Sequence, residues 1–203
     1  MKVIGIVGGI GSGKSLICEY IKNNYNACFI NADGIGHQVL EKNTDVYNQV
    51  FERYGKQILN ADGSINRKAL GDIVFSASED LKWLNSVSHP YIKSKIIKKI
   101  EEYKEKKSCD LIILEAAILI EAGWGQLADY IILVKCKEDI RVERLINSRS
   151  ITEQKAKTII SKQSTDIQLE RFSDEIIDNS LDKNNSYKQI DIIIKKILED
   201  HNE

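Results

Sequence analysis

The chain opens with Val3-Ile4-Gly5-Ile6-Val7-Gly8-Gly9-Ile10-Gly11-Ser12-Gly13-Lys14-Ser15, and this stretch predicts the fold class. Residues 3–7 form a short apolar run of the kind found in buried strands. Residues 8–15 match the pattern G-x-x-x-x-G-K-[ST] in full, and a helical pattern begins at Lys14. A strand, a glycine-rich loop and a helix in this order predict a phosphate-binding loop in an α/β nucleotide-binding fold.

The residue types in this loop suit the binding of a nucleoside triphosphate with Mg²⁺. Glycines let the backbone wrap closely around phosphate groups, and successive N–H groups and the helix N-terminus then face the anion. A lysine at the end of the loop reaches the β- and γ-phosphates, and the serine hydroxyl after it is a Mg²⁺ ligand. We therefore assign nucleotide binding to Gly8, Gly11, Ser12, Gly13, Lys14, Ser15 and Leu16, with Ser15 also on the metal.

The rest of the chain alternates between strand-like and helical patterns. Five short apolar runs predict strands at Val3–Val7, Ala27–Ile30, Leu111–Leu114, Tyr130–Val134 and, more weakly, Glu175–Ile177. Most of these runs lack polar alternation, as expected for a parallel sheet covered on both faces. We predict a doubly wound α/β fold of the P-loop NTPase type with a five-stranded parallel sheet.

The uneven spacing of the strands predicts two helical excursions from a nucleotide-binding core. The core comprises residues 1–33, 108–136 and 166–203. The long helical stretch at 34–107 is the candidate acceptor-binding domain. The helical stretch at 137–165 is rich in Lys and Arg and is the candidate lid. Within the first excursion, His89-Pro90 marks either a helix break or a functional site.

Composition excludes several classes of protein. The 203 residues carry 29 Lys+Arg against 30 Asp+Glu, so no basic field indicates nucleic-acid binding. No apolar run is long enough to span a membrane, and the N-terminus does not resemble a signal peptide. The four cysteines lack a Cys-x-x-Cys pair, so we expect neither a zinc site nor a disulfide. We expect a reduced, cytoplasmic protein without an evident protein partner.

Two acidic residues follow predicted strands, at the sheet edge where ligands bind in open parallel sheets. Glu115 ends the third strand and is assigned to the metal side. Asp33 ends the second strand and is a candidate general base for an attacking hydroxyl. Asp33 also precedes a helical run, where Asp is a favoured N-cap, and sequence position alone leaves both roles open.

The order of short motifs resembles the dephospho-coenzyme A kinases over nearly the full length. Beyond the phosphate-binding loop, the resemblance rests on Asn31-Ala32-Asp33, Asp62-Gly63, His89-Pro90-Tyr91-Ile92 and Ile177-Asp178-Asn179-Ser180. It differs in the lid, where Arg149 lies one position beyond the second arginine of the family pattern. Asn31 also replaces the usual Asp.

The resemblance implies an activity and a set of residue roles. ATP with Mg²⁺ would phosphorylate the ribose 3′-hydroxyl of dephospho-coenzyme A to give coenzyme A, with Asp33 as the base. Lys14 and Arg144 would stabilise the transferring phosphoryl group, and Arg149 would contact the nucleotide. The acceptor would be bound by His89, Arg67 and Lys93.

Two other functions remain compatible with the phosphate-binding loop. One is a kinase of the same scaffold with another small-molecule or nucleotide acceptor. The other is a nucleotide-binding regulator without transfer activity. A GTPase is disfavoured because no Asn-Lys-x-Asp motif is present.

Overall fold

The computed structural model describes residues 1–199 and contains a five-stranded sheet. The strands are β1 (Lys2–Val7), β2 (Ala27–Asn31), β3 (Leu111–Glu115), β4 (Tyr130–Lys135) and β5 (Glu175–Asp178). Their order in the sheet is β2-β3-β1-β4-β5, and β1 pairs in parallel with both β3 and β4. The predicted α/β fold with a five-stranded parallel sheet is confirmed.

Nine α-helices connect and flank these strands within residues 1–199. They are α1 (Lys14–Asn24), α2 (Ala32–Gln38), α3 (Asp45–Tyr54), α4 (Arg67–Ser76), α5 (Ser78–Lys106), α6 (Glu138–Arg149), α7 (Glu153–Ser161), α8 (Asp166–Glu170) and α9 (Lys183–Glu199). The helix α5 continues through Pro90, so His89-Pro90 does not break it. Proline removes one backbone donor, and the helical assignment of α5 continues on both sides of Pro90 despite that loss.

A buried apolar layer between α1, α9 and one face of the sheet positions the phosphate-binding loop. Ile17 and Ile21 of α1 are fully buried, as are Ile190 and Ile194 of α9. Their spacing of four residues places each pair on one helix face, and that face covers the strands. The loop between β1 and α1 is therefore held between two elements that the core fixes.

The chain forms two compact units, one of which is Asn31–Glu101. The other consists of Met1–Ile30 together with the chain from Glu102 onward, and it contains the sheet. In the first unit, the span that we expected to be helical throughout also contains an antiparallel bridge between Leu59 and Ile65. The turn closing this bridge includes Gly63 at φ 79°.

The helices of the predicted lid have a small core of their own. Val142 and Leu145 of α6 pack with Ala156 and Ile160 of α7. Ile10 of the phosphate-binding loop also packs against this cluster. The α6–α7 hairpin is thus in direct apolar contact with the loop.

The prediction that no disulfide forms is wrong. Cys28 of β2 and Cys109, just before β3, are joined by a disulfide with their Cα atoms 5.8 Å apart. The two cysteines are 81 residues apart in sequence, and only the pairing of β2 beside β3 makes them neighbours. Cys18 and Cys136 are buried and free. Within residues 1–199, no helix is both long and apolar enough to cross a membrane.

Candidate active site

The phosphate-binding loop has a backbone that requires glycine at several positions. Gly8, Gly11 and Gly13 have φ values of 147°, 77° and 100°. A Cβ on Gly13 would lie 2.0 Å from Asn179 Nδ2, and a Cβ on Gly8 would lie 2.4 Å from the Val134 carbonyl oxygen. Side chains are excluded both by backbone conformation and by close approach of neighbouring atoms.

The start of α1 presents backbone N–H groups toward the loop. Gly13 is the N-cap, and the first intrahelical bond runs from Ile17 N to Gly13 O at 3.2 Å. The N–H groups of Lys14, Ser15 and Leu16 precede that bond, and such groups are the usual anion donors of a helix N-terminus. This arrangement fits the predicted nucleotide-binding role of the loop.

Two side chains of the loop, those of Lys14 and Ser12, have polar atoms that would gain hydrogen-bond partners from a bound phosphate. Lys14 Nζ donates to the carbonyl oxygens of Gly8 at 2.7 Å and Gly9 at 3.3 Å. Ser12 is 1% exposed, and its Oγ has no hydrogen-bond partner within residues 1–199. A buried hydroxyl without a partner is costly, which favours a ligand at this loop.

The structure brings together Ser15 and Glu115, the two predicted metal residues. Ser15 Oγ donates to Glu115 Oε1 at 3.1 Å, although the residues are 100 positions apart in sequence. Hydroxyl and carboxylate oxygens are the hard donors that Mg²⁺ prefers. Nearby, burial raises the pKa of the Cys18 thiol to about 12, with Glu115 adding to the rise. Cys18 is therefore not a nucleophile at neutral pH.

Arg144 reaches the loop but donates to protein carbonyls there. Its Nη1 lies 3.2 Å from Gly11 O and 3.3 Å from Ser12 O, and its Nη2 lies 3.0 Å from Asn179 O. Asn179 Nδ2 also donates to Ser12 O at 2.7 Å. Arg144 and Asn179 together hold the carbonyl side of the loop in place.

Arg141 is a site residue that sequence analysis did not select. It is 6% exposed, and its Nε donates to the Ile10 carbonyl oxygen at 2.9 Å. Ile10 N in turn donates to Gln163 Oε1 at 2.7 Å, so both backbone polar groups of Ile10 are held by side chains from α6 and from the segment after α7. The sequence signal was the three-residue spacing between Arg141 and Arg144, which puts both on one face of α6.

Arg149 does not join these contacts. It lies in the last turn of α6, is exposed, and forms neither a hydrogen bond nor an ion pair through its side chain with the described part of the chain. Its predicted nucleotide contact stays a prediction.

Asp33 occupies the first turn of α2, and its alternative role as an N-cap is wrong. β2 ends at Asn31, whose Oδ1 accepts from Gly34 N at 2.8 Å and caps α2. The residue that departs from the family pattern thus supplies the cap, and the Asp33 carboxylate is not needed for it. The last turn of α2 is contacted by Arg67, whose guanidinium donates to the carbonyl oxygen of His37 and contacts its Nδ1.

His89 and Lys93 lie four residues apart on α5, which places them on one side of that helix. Both are partly exposed. Burial lowers the pKa of His89, so its neutral form is favoured at neutral pH. Their predicted contact with an acceptor stays a prediction.

Comparison with known proteins decides the family. The model of the dephospho-CoA kinase family matches residues 2–185. The chain belongs to the dephospho-CoA kinase family. The match spans every residue assigned above to the loop, the metal side, the acceptor and the lid. The family resemblance inferred from the sequence is confirmed.

Individual members of the dephospho-CoA kinase family agree over almost the whole chain. A dephospho-CoA kinase of Dehalococcoides mccartyi is 35% identical over 98% of this chain and 99% of its own length. A dephospho-CoA kinase of Saccharomyces cerevisiae is 33% identical over 97% of this chain and 83% of its own. The structure of the dephospho-CoA kinase of Campylobacter jejuni, 23% identical, has a TM-score of 0.70 over 98% of each chain, which shows a shared fold.

Proposed function

We propose that this chain transfers the γ-phosphoryl group of ATP to the ribose 3′-hydroxyl of dephospho-CoA, giving CoA and ADP. The observation that carries the proposal is the complete phosphate-binding loop with Ser15 Oγ on Glu115, within a chain that matches the family from residue 2 to 185. This reaction is the final step of CoA biosynthesis, and we assign it to the cytoplasm.

The phosphate-binding loop would hold the triphosphate. The N–H groups at the start of α1 would face the phosphates, and Lys14 would exchange its bonds to the Gly8 and Gly9 carbonyls for phosphate oxygens. Ser15 and Glu115 would hold Mg²⁺ directly or through its waters. Bound Mg²⁺ neutralises charge on the transferring phosphoryl group.

Asp33 would accept the proton of the attacking 3′-hydroxyl. Asn31 caps α2, so the Asp33 carboxylate in the first turn does not serve as the cap, and a carboxylate is a suitable proton acceptor for a hydroxyl. The acceptor would be bound by His89, Lys93 and Arg67. The contact of Arg67 with His37 would also steady the helix that carries Asp33.

The decisive measurement is ADP release with ATP, Mg²⁺ and dephospho-CoA, beside a reaction without acceptor. Acceptor-dependent ADP with CoA detected by mass spectrometry supports the proposal. Acceptor-independent ADP, or turnover only with another hydroxyl compound, contradicts it and favours another kinase. ATP binding without turnover favours the alternative function, a nucleotide-binding regulator without transfer activity.

Substitution of Asp33 tests the proposed base. Asp33→Asn keeps the shape of the side chain and removes the proton acceptor, so kcat should fall by roughly 10²- to 10⁴-fold. The dissociation constant for ATP should stay within about twofold, since Asp33 has no assigned role in triphosphate binding. Asp45→Asn is the matched control, because Asp45 is an exposed acid in the first turn of α3. Equal kcat values in the two variants would remove Asp33 as the base.

A further inference from the structure

Arg144 and Arg141, two arginines of the predicted lid, both donate to carbonyl oxygens of the phosphate-binding loop. Arg144 donates to the carbonyl oxygens of Gly11, Ser12 and Asn179. Arg141 is buried and donates to the Ile10 carbonyl oxygen. Both guanidinium groups therefore hold the loop from its carbonyl side.

A cavity of about 210 Å³ lies on the first two glycines of the loop. Gly8 and Gly9 contribute to it together with Ala117, Ile118 and Glu121 from the segment after β3. Lys162, Gln163 and Ser164, which follow α7, form another part of its wall. Lys162 is the basic residue of this wall.

The wall segment is fixed on both sides of the cavity. Gln163 Oε1 accepts from Ile10 N at 2.7 Å, which ties it to the loop. Ser164 Oγ donates to Glu121 Oε1 at 2.5 Å, which ties it to the segment after β3. Lys162, the adjacent C-cap of α7, is thereby held beside the cavity by its backbone while its side chain stays exposed.

The cavity wall carries one basic side chain, Lys162, and one acidic side chain, Glu121. Lys162 has no ion pair or side-chain hydrogen bond within residues 1–199, whereas Lys157 on the same helix pairs with Glu153 at 2.6 Å. Glu121, the acidic residue of the wall, already accepts from Ser164. Lys14 Nζ donates to the carbonyl oxygens of Gly8 and Gly9, and Lys162 lines the cavity that these two glycines border.

We infer that Lys162 is a catalytic residue that contacts the γ-phosphoryl group of bound ATP from the cavity on Gly8 and Gly9. It adds a third cation of the predicted lid to Arg141 and Arg144, whose guanidinium groups donate to loop carbonyls. This inference rests on the proposed function for its kinetic consequence only. Its contact with the γ-phosphate is tested by nucleotide binding alone.

The test compares Lys162→Met with Lys155→Met, an exposed lysine on α7 outside the cavity wall. Calorimetry without acceptor measures the dissociation constants of ATP and ADP in the presence of Mg²⁺. Lys162→Met should raise the dissociation constant of ATP by about tenfold and that of ADP by less than twofold, because only ATP carries the γ-phosphate. Lys162→Arg should keep most of the preference for ATP. Lys155→Met should match the wild type.

Turnover gives the second readout. With dephospho-CoA as acceptor, kcat of Lys162→Met should fall roughly 10- to 100-fold, with the KM for dephospho-CoA within about threefold. Equal weakening of ATP and ADP, or unchanged values for both, would overturn the assignment. If wild-type protein showed no turnover with dephospho-CoA, the proposed function would fail, and the ATP/ADP comparison would still decide the role of Lys162.

Discussion

The Cys28–Cys109 disulfide should make a large contribution to stability, and its size follows from the chain that it closes. The two cysteines are 81 residues apart, so the bond closes a loop that contains all of Asn31–Glu101. In the chain-entropy model, closing a loop of about 80 residues in the unfolded state corresponds to about 4.5 kcal/mol at 25 °C. Reduction should lower the free energy of unfolding by about that amount.

Urea denaturation of oxidised and reduced protein measures this contribution. With an m-value of about 2 kcal/mol per molar, the midpoint should fall by about 2 M on reduction. The double variant Cys28→Ala/Cys109→Ala controls for the reductant, because its midpoint should not respond to it. Thiol titration of the unfolded, unreduced protein should find Cys18 and Cys136 only.

Two results would contradict a stabilising disulfide. Four titratable thiols in protein purified without reductant would show that the bond does not form. A midpoint that is the same in oxidised and reduced protein would show that closing the loop does not stabilise the fold. In a reducing compartment the thiol form would be populated, so the free energy of unfolding of the reduced protein is the stability that applies there.

Two further predictions concern the unit Asn31–Glu101. Asn31→Ala should remove the N-cap bond to Gly34 N and lower the free energy of unfolding by about 1 kcal/mol, measured from urea midpoints. Asn31→Asp should keep the cap and the stability. Equal midpoints for wild type and Asn31→Ala would contradict the cap. Burial lowers the pKa of His89 below its ordinary 6.5, so the unfolded chain binds this proton more readily and stability should fall as pH falls through 6.5. His89→Gln should flatten that part of the pH dependence of the urea midpoint, and an unchanged slope would speak against a buried, neutral His89.

The phosphate-binding loop could be predicted because its chemistry is local. Loop glycines, Lys14 and Ser15 are adjacent in sequence, and a turn that wraps a phosphate needs those residue types at that spacing. The strands were equally visible, since a buried parallel strand is a short apolar run. Each observed strand extends its predicted range by no more than one residue at either end.

The residues that hold the loop were harder to predict because their partners are distant in sequence. Arg141 contacts Ile10 across 131 positions, and nothing local distinguishes a buried arginine from an exposed one on a helix rich in charge. We predicted that Asp33 ends a strand, but β2 ends at Asn31 and α2 begins at Ala32. The residue at which a strand gives way to a helix depends on backbone angles, which the sequence pattern does not show.

The fold class, the nucleotide loop and the family could all be predicted from the amino-acid sequence, because they depend on patterns that lie within a few consecutive residues or recur in a set order. The folded chain was needed to show that Cys28 meets Cys109, that Arg141 holds the Ile10 carbonyl, and that Lys162 lines one cavity with Gly8 and Gly9. The physical reason is that the order of strands in the sheet sets which distant residues become neighbours. That order results from the packing of the whole core and leaves no local pattern at the residues it joins.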